Sequence, residues 1–163
     1  MAVILESLNV LVADDNAHMR ALLRSLLQTF GVKEIVECND GGAAFAALRE
    51  FKADFALIDL NMEPVDGIEF TRRVRTRRDS PNAHLPIVMI TGYTERSRVE
   101  SARDAGVSEF LAKPITAQKL LSRINEVFER PRPFVAGGNY SGPDRRRRRY
   151  DDYDGPQRRR DDR

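Results

Sequence analysis

From residue 9 onward the chain alternates short apolar runs with stretches in which apolar residues recur every three or four positions. Asn9-Val10-Leu11-Val12-Ala13 is an uninterrupted run ending in Asp14-Asp15, the pattern of a strand covered on both faces. Asn16 can cap a helix whose apolar stripe is Met19, Leu22, Leu23, Leu26, Leu27 and Phe30, with Gly31 as its stop. Glu34–Cys38 reads as a second strand and 41–51 as a helix with small and aromatic residues on one face. Asp54–Asp59 is a third strand, again ending in an acid, and a helix follows from Gly67 to Arg77. Pro86–Thr91 reads as strand four, 95–105 as a helix closed by Gly106, and Ser108–Ala112 as strand five. Residues 117–129 end the series with the helical face Leu120, Leu121, Ile124, Val127 and Phe128.

Strands alternating with helices in this way predict an α/β fold, a doubly wound parallel sheet covered by helices on both sides. Right-handed crossovers leave few topologies open. In such sheets reactive groups gather at the carboxyl ends of the strands. Those ends here carry Asp14-Asp15, Asp59, Thr91 and, after strand five, Lys113-Pro114.

Three carboxylates crowded at one sheet edge repel each other and need a cation among them to stay ionised. Oxygen-only donors select a hard ion, and Mg²⁺ is the usual choice beside phosphate. A lysine ammonium with Mg²⁺ neutralises an incoming phosphoryl group, and a carboxylate can then attack phosphorus to form an acyl phosphate. A threonine hydroxyl can bond a phosphoryl oxygen. A lone strand-end Asp is usually a loop or cap residue; the full set in one order points to a phosphoryl site.

Composition narrows the alternatives. The chain of 163 residues has one cysteine, Cys38, so a disulfide framework and a Cys-based zinc site are excluded, and a reducing compartment is expected. No apolar run approaches the length of a membrane span, and the N-terminus lacks a basic region before its apolar stretch. A soluble, cytoplasmic protein without membrane insertion is the expectation. His18 and His84 lack metal-ligand neighbours in sequence and read as surface residues, as do the arginines of the face Arg72, Arg73, Arg75, Arg77 and Arg78.

The net charge of +2 hides an asymmetry. Residues 1–130 hold 17 basic and 19 acidic side chains, whereas 131–163 hold 10 arginines, no lysine and 6 aspartates. The latter stretch has few apolar side chains to offset its ordering entropy, so 131–163 is expected to be a disordered or weakly ordered Arg-rich tail. The boundary falls at Arg130-Pro131-Arg132-Pro133.

Asp14-Asp15, Asp59 followed by Asp66-Gly67, Thr91-Gly92 and Phe110-Leu-Ala-Lys113-Pro114 together resemble the receiver domain of two-component response regulators. The resemblance spans residues 6–130 and implies the flavodoxin-like (βα)5 fold with strand order 2-1-3-4-5. It implies that Asp59 is the phosphoacceptor, and that Asp14, Asp15 and Asp59 hold Mg²⁺ with the backbone carbonyl of Asn61. It further implies that Lys113 pairs with Asp59, that Thr91 and Phe110 are the switch pair, and that Lys113-Pro114 is cis. The partners implied are a histidine kinase or phosphotransfer protein and a downstream protein. Two departures stand out. Glu63 follows Met62 where many receivers place proline, and a solvated loop charge is its expected role. The run Pro86–Tyr93 only partly resembles the PFxFATGY stretch of an atypical receiver group.

The tail contains a near-repeat, Tyr140-Ser-Gly-Pro-Asp-Arg145-Arg146-Arg147 and Tyr153-Asp-Gly-Pro-Gln-Arg158-Arg159-Arg160. Guanidinium groups bind phosphate bidentately and stack on purines. The pattern resembles tails of CheY-like single-domain receivers, some of which bind cyclic di-GMP and act on the flagellar motor. By that resemblance Arg145, Arg146 and Arg147 are candidate nucleotide contacts, against the plainer reading of a solubilising or nonspecific anion-binding segment. Interspersed aspartates leave the tail a net charge of only +4, which makes nucleic acid an unlikely partner. With only this tail after residue 130, the expectation is a stand-alone receiver that signals by protein contact and is not an enzyme.

Overall fold

The computed structural model describes residues 5–92, 96–137 and 140–145. After a short 3-10 turn at Leu5–Ser7, five strand–helix units follow: β1 (Asn9–Ala13), α1 (Ala17–Thr29), β2 (Glu34–Cys38), α2 (Gly41–Ala47), β3 (Phe55–Asp59), α3 (Gly67–Thr76), β4 (Ile87–Thr91), α4 (Arg96–Ala105), β5 (Glu109–Ala112) and α5 (Ala117–Glu129). The five strands form one parallel sheet in the order β2-β1-β3-β4-β5, the flavodoxin-like arrangement expected.

Strand alternation splits the core in two. Leu11, Ala13, Ala56, Ile58, Ile87 and Met89 point to the side covered by Phe45, Phe70, Val74 and Ala102 of α2, α3 and α4. Val10, Val12, Phe55, Leu57, Val88 and Ile90 point to the side covered by Leu23 and Leu27 of α1 and Leu120 and Ile124 of α5. β1, β3 and β4 are apolar on both faces because both faces are covered. β2 is the exposed edge and is only half-buried. In α1 Leu23 and Leu27 are fully buried, Met19, Leu26 and Phe30 pack against them half-buried, and Leu22 of the expected stripe is left 41% exposed.

Helix starts are set by side-chain caps. Asn16, Asp40, Asp66 and Thr116 accept bonds from the N–H groups of Met19, Ala43, Glu69 and Lys119 at 3.1, 2.9, 2.9 and 3.2 Å. Gly67, the first residue of α3, is demanded by space: a Cβ there would lie 2.5 Å from the Asp59 carbonyl oxygen and 2.7 Å from Met89 Sδ. α3 thus starts against the end of β3.

Two expectations change, one in α3 and one after α5. Arg75, expected on a solvated face, is 4% exposed. Its guanidinium donates to the carbonyls of Gly106 (2.9 Å) and Ala83 (2.8 Å), and desolvation lowers its pKa to about 10. Part of the tail expected to be disordered or weakly ordered is a docked antiparallel hairpin, β6 (Phe134–Gly137) and β7 (Tyr140–Pro143). Its anchors lie far away in sequence. Phe134 stacks on His84 at 3.7 Å and sits 5.6 Å under the Arg75 guanidinium. Arg132 reaches the buried Glu109 at 3.5 Å, and Arg145 pairs with Asp104 of α4 at 2.8 Å. Gly106, at φ +111°, has the Arg75 side chain and the Ser141 carbonyl against the place a Cβ would take.

The stacking of Phe134 gives a direct check on docking. Phe134→Ala is expected to lower stability by about 1–2 kcal/mol in urea unfolding. An unchanged midpoint would show that the hairpin adds nothing to the fold.

Candidate phosphoryl-transfer site

Strand register builds the site. Ala13 lies beside Ile58, so the next residue of each strand, Asp14 and Asp59, meet at the carboxyl edge. Asp59 lies beside Ile90, and Thr91 beside Ala112, which carries Thr91 and Lys113 to the same edge. The Lys113 N–H donates to the Thr91 carbonyl at 2.8 Å. The Lys113-Pro114 bond is cis, as expected, and so is Glu63-Pro64.

Asp14 and Asp59 are buried, at 2% and 4% exposure, while Asp15 is exposed. One carboxylate oxygen from each of the three lies within 4.8 Å of the others. Lys113 Nζ stands 3.2 Å from Asp59 Oδ1, and the Asn61 N–H donates to Asp59 Oδ2 at 3.1 Å. Asp14 Oδ1 accepts the Asn16 N–H at 2.8 Å, whereas Asp14 Oδ2 is buried with no partner. Burial pushes the Asp59 carboxyl up to about 6, helped by the Asp14 charge and opposed by Lys113 and the Asn61 N–H. Burial also raises Asp14, against the pull of the Asn16 N–H and Lys113.

This arrangement fits a hard divalent cation. The donors are all oxygens, one buried oxygen is orphaned, and the neighbouring carboxylates disfavour charge, Asp14 on Asp59 and Asp15 on Asp14. An unpaired buried oxygen costs about 1–3 kcal/mol, which a cation would offset.

The remaining predicted residues fall as follows. Thr91 is 6% exposed at the end of β4. Phe110 is half-buried in β5 beside Met89, packed on the core of the α2–α4 side. Glu63 is exposed and outside the acidic cluster, consistent with a loop charge. Arg145 lies at the opposite end of the molecule: the hairpin packs on Gly106, which precedes β5, whereas Lys113 follows it. Its guanidinium pairs with Asp104 and sits 4.5 Å over the Tyr140 ring. Arg146 and Arg147 lie outside the described residues.

Sequence reasoning missed Arg98. From α4 it donates through Nη1 to Asn61 Oδ1 and through Nη2 to Asp66 Oδ2 at 2.7 Å. No motif or periodicity marks it among the other arginines.

The family model described as response regulator receiver domain matches residues 10–125. The chain belongs to that family. The receiver is 36% identical over 123 residues to the chemotaxis protein CheY of Pseudomonas aeruginosa, an alignment covering 76% of this chain and 98% of the relative. It is 33% identical over 129 residues to CheY-3 of Vibrio cholerae, covering 79% and 98%. Among solved structures, CheY4 of Vibrio cholerae superposes with a TM-score of 0.64 at 27% identity, covering 74% of this receiver and 98% of that chain. It is therefore a CheY-like receiver of the response regulator class. Among the described residues no helix is long and apolar enough to cross a membrane.

The elevated Asp59 pKa makes stability pH-dependent. The folded value of about 6 exceeds the ordinary 3.8, so the fold favours the protonated carboxyl. That contribution is fully present below about pH 4 and is lost as pH rises through about 6. Without divalent cation, the wild type should therefore lose about 2–3 kcal/mol between pH 4 and pH 7 relative to Asp59→Asn. Adding Mg²⁺ at pH 7 should close most of that gap. Parallel urea midpoints for the two proteins across this range would contradict the assignment.

Proposed function

We propose that this receiver is a phosphorylation switch in a two-component phosphorelay, with Asp59 as the acceptor of a phosphoryl group from a histidine kinase or phosphotransfer protein. The observation that carries the reading is the burial of Asp59 beside Asp14 with the Lys113 ammonium 3.2 Å from its Oδ1. An Asp59 oxygen attacks the phosphorus of the donor phosphohistidine. The new P–O bond forms as the P–N bond breaks, the electron pair leaves with the imidazole, and the product is an acyl phosphate on Asp59. With a pKa near 6 the carboxyl is largely ionised at neutral pH, as a nucleophile must be.

Asp14, Asp15 and Asp59, with the Asn61 backbone carbonyl, would hold Mg²⁺. When bound, Mg²⁺ supplies charge neutralisation to the phosphoryl oxygens. Lys113 holds the Asp59 carboxylate before transfer and the phosphoryl group after it. The Thr91 hydroxyl donates to a phosphoryl oxygen, and the Phe110 ring, only half-buried in β5, moves inward with it. Their displacement alters the face formed by β4, β5 and their helices, which then binds the downstream protein. The chemotaxis relatives support a partner in motility.

Incubation with acetyl phosphate and Mg²⁺ should add one phosphoryl group by intact mass. Asp59→Ala should abolish the gain, and Lys113→Ala should slow it by about 10²-fold. No gain in wild type, or full gain in Asp59→Ala, would reject the assignment.

A further inference from the structure

The β3–α3 loop carries Asn61 at its start and Asp66 at its end. Its neck is closed by the backbone, since the Gly67 N–H donates to the Leu60 carbonyl at 3.1 Å. Within the loop, Met62 is sunk into the core at 3% exposure. The two polar ends have a separate fastening. Arg98 of α4 spans both, donating through Nη1 to Asn61 Oδ1 and through Nη2 to Asp66 Oδ2 at 2.7 Å. Each target has a second task. The Asn61 N–H donates to Asp59 Oδ2, and Asp66 Oδ1 caps α3 through the Glu69 N–H at 2.9 Å.

We propose that Arg98 is a positioning residue for the acidic pocket: its planar fork, reaching across from α4, staples Asn61 to Asp66 and holds the β3–α3 loop in the form that binds a divalent cation. The inference rests on the reading of the Asp14, Asp15 and Asp59 cluster as a cation site. The fork matters because a guanidinium presents its donors in a fixed plane, so satisfying both acceptors fixes their separation. A lysine ammonium carries the same charge but has no such plane.

Charge and geometry oppose each other here. A cationic side chain near the pocket repels a divalent cation. That repulsion is weakened because Asp66 neutralises Arg98 at contact distance and both side chains are about one-third exposed to screening solvent. Geometry therefore dominates, and removing Arg98 weakens cation binding.

The test uses the full chain and Mg²⁺ alone, titrated by calorimetry, together with amide hydrogen exchange in the metal-free protein. Arg98→Ala and Arg98→Lys should each raise the Mg²⁺ dissociation constant about 3-fold and speed exchange of the Asn61 amide, with melting temperature unchanged. Asn61→Ala should weaken Mg²⁺ binding to a similar degree, and the double variant should be no worse than either single one, because one staple is being removed. Wild-type affinity in Arg98→Lys would show that only charge matters and would overturn the proposal, as would tighter binding in Arg98→Ala or unchanged exchange in both variants. A wild type that is not phosphorylated by acetyl phosphate would reject the acceptor role of Asp59 alone. If the wild type binds no Mg²⁺, the cation reading fails with the positioning proposal.

Discussion

Burying the Asp14 and Asp59 carboxyls side by side, with one ammonium for compensation, is the constraint on which the rest of the structure depends. The local chemistry is unfavourable: burial raises both groups, the Asp14 charge adds to the rise of Asp59 and the Asp15 charge to that of Asp14, and one Asp14 oxygen has no partner. Such an arrangement persists only where the surrounding fold over-determines it. Here β3 and β4 are buried throughout and β1 from Val10 onward, so a slipped register would mismatch two packed core layers at once. Gly67 brings α3 against the Asp59 carbonyl, where any side chain would collide. The stability of two apolar core layers is what tolerates a repulsive edge, and the repulsion gives that edge its appetite for a cation.

The receiver pocket was legible in the sequence because it sits where strong patterns stop. A buried parallel strand is an apolar run, so its end is sharply marked, and Asp14, Asp59 and Thr91 stand at those ends. Topology does the rest, since any parallel sheet brings strand ends to one edge. Arg98 was not legible for the same reason. It lies within α4, a helix rich in charged residues, and its role depends on which way one helix face turns toward a loop more than thirty positions earlier. Arg75 was misread on composition: an arginine in a basic cluster is normally solvated, but this one finds carbonyl acceptors at two chain turns and a hairpin above it.

The hairpin shows where averaging over a segment fails. Across 131–163 the apolar content is too low for an independent core, which remains a sound argument about autonomy. It says nothing about docking onto a core already formed. Phe134 and Arg132 find His84, Arg75 and Glu109, all in the α/β body, and the backbone adds a bond from the Asp144 N–H to the Pro133 carbonyl at 2.7 Å. A two-stranded hairpin is marginal alone and becomes ordered here only because its partners are pre-arranged.

These contacts give α4 an unusual position in the molecule. Toward its amino end, Arg98 is fastened to the loop beside Asp59; near its carboxyl end, Asp104 is fastened to Arg145, and Gly106 packs under Gly142 of the hairpin. The helix itself is polar, with only Ala102 and Ala105 buried among its described side chains, so core packing holds it weakly compared with α1 or α5. An element with few apolar anchors and specific polar ties at both ends is one whose position responds to changes at either end. The Asn61–Asp66 loop and the hairpin are therefore tied to the same helix. Coupling between them needs no additional pathway, only that the two sets of ties favour different positions of α4.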